Sequence, residues 1–106
     1  MTKINLVLCD DNTADLDVLR ESVNEYINLR GLCGETVCFS SPEEVLRFSE
    51  SNDESNVTVY LLDVIMSEFD GIELGQRIRE RDKSSAVIYI SNSREYSLDA
   101  FAVRAL

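Results

Sequence analysis

A doubly wound parallel α/β sheet is the fold class that this sequence predicts, and three observations predict it. Short runs that are apolar almost throughout occur at Ile4–Cys9, Val57–Leu62 and Ala86–Ile90. Runs of this kind belong to strands buried on both faces of a parallel sheet, whereas a half-exposed strand alternates. Between them lie longer stretches whose apolar residues return at helical spacing, and the regular alternation of the two patterns is that of right-handed βαβ units. At 106 residues the chain has room for a single hydrophobic core and for no second domain.

The first strand, Ile4–Cys9, is interrupted only by Asn5 and is followed by two adjacent carboxylates, Asp10 and Asp11. A helix over Thr13–Arg30 follows, with Leu16, Leu19, Val23, Tyr26 and Ile27 on its apolar side and Gly31 as its stop signal. Glu35–Phe39 is a short second strand carrying the β-formers Thr36, Val37 and Phe39. Ser41-Pro42-Glu43-Glu44 combines an N-cap serine, proline at the first helical position and glutamate at the third, a capping box that starts a helix running to about Ser51. After the polar stretch Ser51–Asn56, the run Val57–Leu62 is the most apolar in the chain, as a central strand requires, and it ends in Asp63. Asp70-Gly71 opens a third helix through Arg81, with Ile72, Leu74 and Ile78 on its apolar side. Ala86–Ile90 is the fourth strand, closed by Ser91, and Ser93 caps a last helix that places Leu98, Phe101, Ala102 and Ala105 on one face. Four βα units are therefore expected.

Composition narrows the function. Ten Lys and Arg against twenty Asp and Glu give a formal charge of −10, which repels polyphosphate and anionic lipid, so this domain is not expected to touch nucleic acid or membrane itself. No apolar run approaches the length of a membrane span or forms a signal peptide, and a cytoplasmic location is the expectation. The three cysteines, Cys9, Cys33 and Cys38, form no Cys-x-x-Cys pair and are read as buried reduced thiols. The absence of histidine removes serine and cysteine triads, histidine-based zinc sites and self-contained phosphohistidine chemistry.

Carboxylates and hydroxyls remain. In a doubly wound sheet, ligands bind outside the carboxyl ends of the strands, and Asp10, Asp11, Asp63 and Ser91 all follow or end strands at that edge. Two like charges about 4 Å apart repel by roughly 4 kcal/mol at an effective dielectric near 20, so water, a helix N-terminus or a cation must offset Asp10 and Asp11, and the convergence with Asp63 favours the cation. A hard divalent ion, Mg2+, suits one or two carboxylates together with water and phosphate oxygens. Asp63, at the tip of the most buried strand, is the best candidate for a nucleophile on phosphorus, with the Ser91 hydroxyl placed to hydrogen-bond a phosphoryl oxygen.

The segments "LVLCDDN", "YLLDVIMSEFDGIELGQRIR" and "VIYISNSREYSLDAF" resemble, in order and spacing, the phosphoacceptor receiver domains of two-component response regulators. The resemblance covers nearly the whole chain and implies a flavodoxin-like sheet of receiver type. It implies that Asp63 is the phosphoacceptor and that Asp11 is a direct Mg2+ ligand with Asp63. Asp10 would be an acidic partner acting through water, the Ile65 backbone carbonyl a further ligand, and Ser91 the switch hydroxyl. It implies a sensor histidine kinase as partner and an output domain, and "SREYSLDAFAVRAL" is most similar to receivers attached to LytTR-type DNA-binding domains. Such a module modifies itself and is not a conventional enzyme. The chain departs from the pattern in having Ser67 where the family usually has proline, and in stopping before the fifth strand, its lysine and the fifth helix. Residues 1–106 are accordingly expected to be a fragment of a longer protein. An exposed edge on the fourth strand then predicts homodimerisation or strand exchange.

Two rivals stand beside this reading. A pseudo-receiver acting as a protein-binding scaffold is kept alive by the missing lysine. An aspartyl-nucleophile phosphatase would resemble its kind in an Asp-x-Asp run after the first strand, where this chain has Asn12 in place of the second Asp.

Overall fold

The first strand, β1 (Ile4–Cys9), lies between β2 (Gly34–Phe39) and β3 (Val57–Asp63), and β4 (Ala86–Ile90) extends the sheet beyond β3. All three pairings among them are parallel, with Cys9 opposite both Phe39 and Leu62, and Asp63 opposite Ile90. The chain is described by a computed structural model over residues 3–51, 57–66, 70–90 and 103–105, the last three as backbone. Helices α1 (Thr13–Arg30), α2 (Pro42–Ser51) and α3 (Gly71–Arg81) connect the strands, giving the doubly wound parallel sheet that the alternating pattern predicts.

Local chemistry sets the ends of these helices. Asn12 caps α1 by accepting the Asp15 N–H at 3.1 Å, one residue before the predicted start. Gly31 ends α1 in the left-handed region at φ 63°, where its N–H turns back to the Asn28 carbonyl, and a side chain would be strained there. Asp70 caps α3 by accepting the Glu73 N–H at 2.8 Å.

The core lies on the face of the sheet covered by α2 and α3. Val7, Cys9, Tyr60, Leu62 and Val87 from the strands meet Val45 of α2 and Leu74 and Ile78 of α3, all without exposed surface. Phe39 and Phe48 close one side of it with ring centroids 5.8 Å apart. On the other face α1 is the one helix among the described residues. Only Leu16 and Ile27 of that helix are buried, and an apolar groove of about 390 Å³ beside it is lined by Leu6, Val23, Val59, Leu61 and Ile88. Tyr26, expected on the buried side, is 55% exposed and lies beneath the Arg30 guanidinium. At the amino-terminal end of β4, buried Asp82 accepts from the Ser85 hydroxyl and from Ser84, with the Tyr60 hydroxyl 3.5 Å away.

Three expectations are corrected. The last helix was expected to run through Ala105, but Val103–Ala105 is a strand, β5, antiparallel to β4 with Val103 opposite Tyr89 and Ala105 opposite Val87. The edge expected to be bare and available for strand exchange is thus paired over those residues by the chain itself. An open row of backbone donors and acceptors on β4 outweighs the helical spacing of an apolar pair, a case of tertiary context overriding local pattern. The remainder of that predicted helix, including Ser93, Leu98 and Phe101, lies outside the described residues. Cys33 is exposed and Cys38 only half-buried, so of the three free thiols Cys9 alone fits the buried reading. Among the described residues no helix is long and apolar enough to cross a membrane.

Candidate metal and phosphoacceptor site

Strands β1 and β3 are neighbours in parallel register, so the residues that follow them emerge side by side at the carboxyl edge of the sheet. This brings together Asp10, Asp11 and Asp63, whose carboxylate oxygens lie within 4.8 Å of one another. Asp10 is 1% and Asp63 8% exposed. The Asp10 backbone N–H donates to the Phe39 carbonyl at 3.3 Å, extending the β2 pairing by one residue, and its carboxylate accepts the Asn12 N–H at 2.9 Å. Asp63 ends β3, and immediately after it the Val64 N–H donates to the Ile90 carbonyl at 2.9 Å. Both acids are therefore held by backbone bonds to neighbouring strands.

Burial and the negative charge of Asp10 push the Asp63 carboxyl up to about 7, with Asp11 adding to the rise and the Ile65 backbone N–H opposing it. Burial likewise raises Asp10, again opposed by a backbone donor, here Asn12, while Asp15 and Asp11 add to the rise. The Asp10 side chain bonds to that of Asp63, which raises Asp63 and lowers Asp10, so the two acids titrate as a pair. This is the signature of a pocket with more negative charge than its surroundings balance. A divalent cation would supply that balance in place of the proton, and an all-oxygen donor set of this charge fits Mg2+. Beneath the acids the Cys9 thiol is pushed up to about 12, by burial first and then by Asp10, Asp11 and Asp63, and it contacts the Met66 sulfur at 3.8 Å. The thiol stays protonated and offers no soft ligand to compete with the oxygens.

Of the residues singled out from the sequence, Asp10, Asp11 and Asp63 converge. Ile65 adjoins them through its backbone: its N–H faces the Asp63 carboxylate. Ser91 lies outside the described residues, as does Ser67, although the Ile90 carbonyl that precedes Ser91 is bonded to Val64. Asn12 caps α1 and serves the Asp10 carboxylate through its N–H, which leaves it no role as a second catalytic acid and counts against the phosphatase pattern.

The sequence reading missed the part played by two glycines. Gly71, whose place in the sequence marks only a helix start, has its N–H 2.8 Å from the Val64 carbonyl, and a Cβ there would overlap the backbone carbonyl oxygen of Asp63. A Cβ on Gly75 would overlap the Tyr89 hydroxyl. The Asp-Gly pair at 70–71 was the only signal available for the first, and nothing in the pattern marked the second.

Comparison with known proteins bears on the fold and the family. The positive alginate biosynthesis regulatory protein of Pseudomonas aeruginosa is 36% identical over 70 residues, which are 58% of this chain and 28% of that protein. The chain thus spans little more than a quarter of that relative's length. Among solved structures, a response regulator receiver protein from Dyadobacter fermentans superposes with TM-score 0.66 at 20% identity, covering 89% of this chain and 73% of that one. The response regulator TrrA of Thermotoga maritima, solved in complex with Mg2+ and BeF, gives 0.64 at 24% identity, covering 93% and 76%. The CheX–CheY–BeF3–Mg2+ complex from Borrelia burgdorferi gives 0.63 at 23%, covering 97% and 79%. At these identities the superpositions establish the fold. The family model for the response regulator receiver domain matches residues 6–106, and with nearly the whole chain inside that match, this protein belongs to the response regulator receiver domain family.

Proposed function

We propose that Asp63 accepts a phosphoryl group from a phosphohistidine on a separate sensor kinase, and that Asp10, Asp11 and Asp63, with the Ile65 carbonyl, hold the Mg2+ that this transfer requires. The observation that carries the reading is the convergence of Asp10, Asp11 and Asp63 within 4.8 Å at the carboxyl edge of the sheet. An Asp63 carboxylate oxygen attacks phosphorus as the phosphorus–nitrogen bond to the donor imidazole breaks; the imidazole leaves with the bonding pair and takes a proton, and Asp63 becomes an acyl phosphate. Bound Mg2+ would neutralise the charge on the transferring oxygens. With no histidine among these 106 residues, the phosphohistidine that serves as donor lies outside them.

Asp10, buried and hydrogen-bonded to the Asn12 N–H, is fixed in place beside Asp63. Ser91 would supply a hydroxyl to the phosphoryl group and, by following it, shift β4 and what comes after. Residues 1–106 would act as a receiver domain in a longer regulator, passing this change to an attached DNA-binding output domain. The match of this chain to just 28% of a relative named as a regulatory protein supports that arrangement.

The test is intact-mass measurement after incubation with acetyl phosphate, with and without Mg2+. One phosphoryl adduct is expected, dependent on Mg2+, absent in Asp63→Asn and in Asp11→Asn. An adduct that survives Asp63→Asn overturns the assignment. No adduct in the wild type with Mg2+ present transfers the case to the scaffold reading.

A further inference from the structure

The connection that leaves Asp63 is fastened to β4 at both ends. At its start the Val64 N–H donates to the Ile90 carbonyl at 2.9 Å. At its end the Tyr89 hydroxyl, also from β4, donates to the Ile72 carbonyl in the first turn of α3 at 3.3 Å. The Gly71 N–H donates to the Val64 carbonyl at 2.8 Å, and Gly71 lies against the backbone carbonyl of Asp63. Tyr89 stands opposite Leu62 in the β3–β4 register, one position before Asp63.

Tyr89 reaches α3 only because residue 75 is glycine: a Cβ at that position would occupy the place of the phenol oxygen and its neighbouring ring carbons. Gly71 and Gly75 are four residues apart and share one side of α3, so the helix approaches the sheet at both points, against the Asp63 backbone at one and the Tyr89 ring at the other. Helix interiors disfavour glycine by roughly 0.5–1 kcal/mol relative to alanine, so close approach is the physical reason for a glycine at 75.

We propose that Tyr89 is a positioning residue for the Asp63 site: its ring occupies the notch at Gly75 and its hydroxyl ties the first turn of α3 to β4, holding the Val64–Gly71 bond and with it the Asp63 backbone. The effect on phosphoryl transfer rests on the reading of Asp63 as phosphoacceptor; the effect on the backbone does not.

The test compares the full chain with Tyr89→Phe, which keeps the ring and removes the donor, and with Gly75→Ala, which displaces the hydroxyl without removing it. Amide hydrogen exchange by NMR is followed at Gly71 and Val64, with Leu8 and Leu61 as references, and phosphoryl uptake from acetyl phosphate with Mg2+ is timed in parallel. Tyr89→Phe is expected to speed exchange at Gly71 about fivefold, the factor that a hydrogen bond of about 1 kcal/mol represents, while the reference amides stay at wild-type rates. Phosphoryl uptake should slow by a similar factor. Gly75→Ala should reproduce the local change, and the double variant should be no worse than Gly75→Ala alone, because the added methyl already breaks the bond that Tyr89→Phe removes. Wild-type exchange at Gly71 in Tyr89→Phe overturns the proposal, as does an equal change at the reference amides, which would mean a merely structural role. Should wild-type protein take up no phosphoryl group, the Asp63 reading falls while the exchange rates still decide the place of Tyr89.

Discussion

Replacing Asp63 with asparagine removes one of three crowded carboxylates and leaves the shape of the site nearly intact. Because the native pKa of Asp63 is raised from 3.8 to about 7, the folded chain binds more protons than the unfolded one between those values. Stability therefore falls as pH rises through that window, and the loss is complete above about 7. A rise of about three units corresponds to about 4 kcal/mol at full strength. Water at the rim of the site screens the charge, and we halve the figure to about 2 kcal/mol. In urea unfolding with a chelator present, Asp63→Asn should match the wild type near pH 4 and exceed it by about 2 kcal/mol at pH 8. Adding Mg2+ to a hundred times its dissociation constant stabilises the wild type by about 2.7 kcal/mol and should close that gap. The reasoning is refuted if the variant is no more stable than the wild type at pH 8 with chelator, or if the difference between them does not grow with pH.

Gly71→Ala places a methyl group on the Asp63 carbonyl, a backbone atom that cannot swing aside, and should lower the urea midpoint by an amount equivalent to 1–3 kcal/mol, about the usual cost of overpacking. Leu74→Ala empties a fully buried position between α3 and the sheet, and thermal unfolding should show a loss of about 2–5 kcal/mol. Asp82→Ala strips the Ser85 hydroxyl of its acceptor in a buried setting, and denaturant unfolding should register a loss of about 1–3 kcal/mol with no change in phosphoryl uptake, since the network lies at the opposite end of the sheet.

The parallel strands were legible because burial on both faces demands unbroken apolar runs, and Ile4–Cys9, Val57–Leu62 and Ala86–Ile90 supply them. The acidic cluster was legible for a related reason: once β1 and β3 are neighbours in register, the acids at their ends have no other place to be. What stayed hidden depends on how closely elements approach. Nothing local distinguishes Gly75 from a weak helix position, and only the Tyr89 ring across from it explains the residue. Tyr26 has the spacing of a buried side chain, but among the described residues no second helix lies on that face to cover it. Val103–Ala105 has apolar residues at helical spacing from others upstream, and its extended form follows from the hydrogen-bonding edge it meets on β4.

The pairing of β1 with β3 joins residues about fifty positions apart, with Cys9 opposite Leu62, whereas β5 joins β4 from within one short stretch of chain. Closing the longer loop carries the larger entropic cost and is the slow kind of step in forming a parallel sheet. The three acids meet only when that step is complete. A chain emerging from the ribosome thus has no cation site while β3 is still being synthesised, and a partly folded chain that lacks the β1–β3 pairing has none either. A divalent cation held by these acids would report that the β1–β3 pairing, the longest-range one among the described strands, has formed.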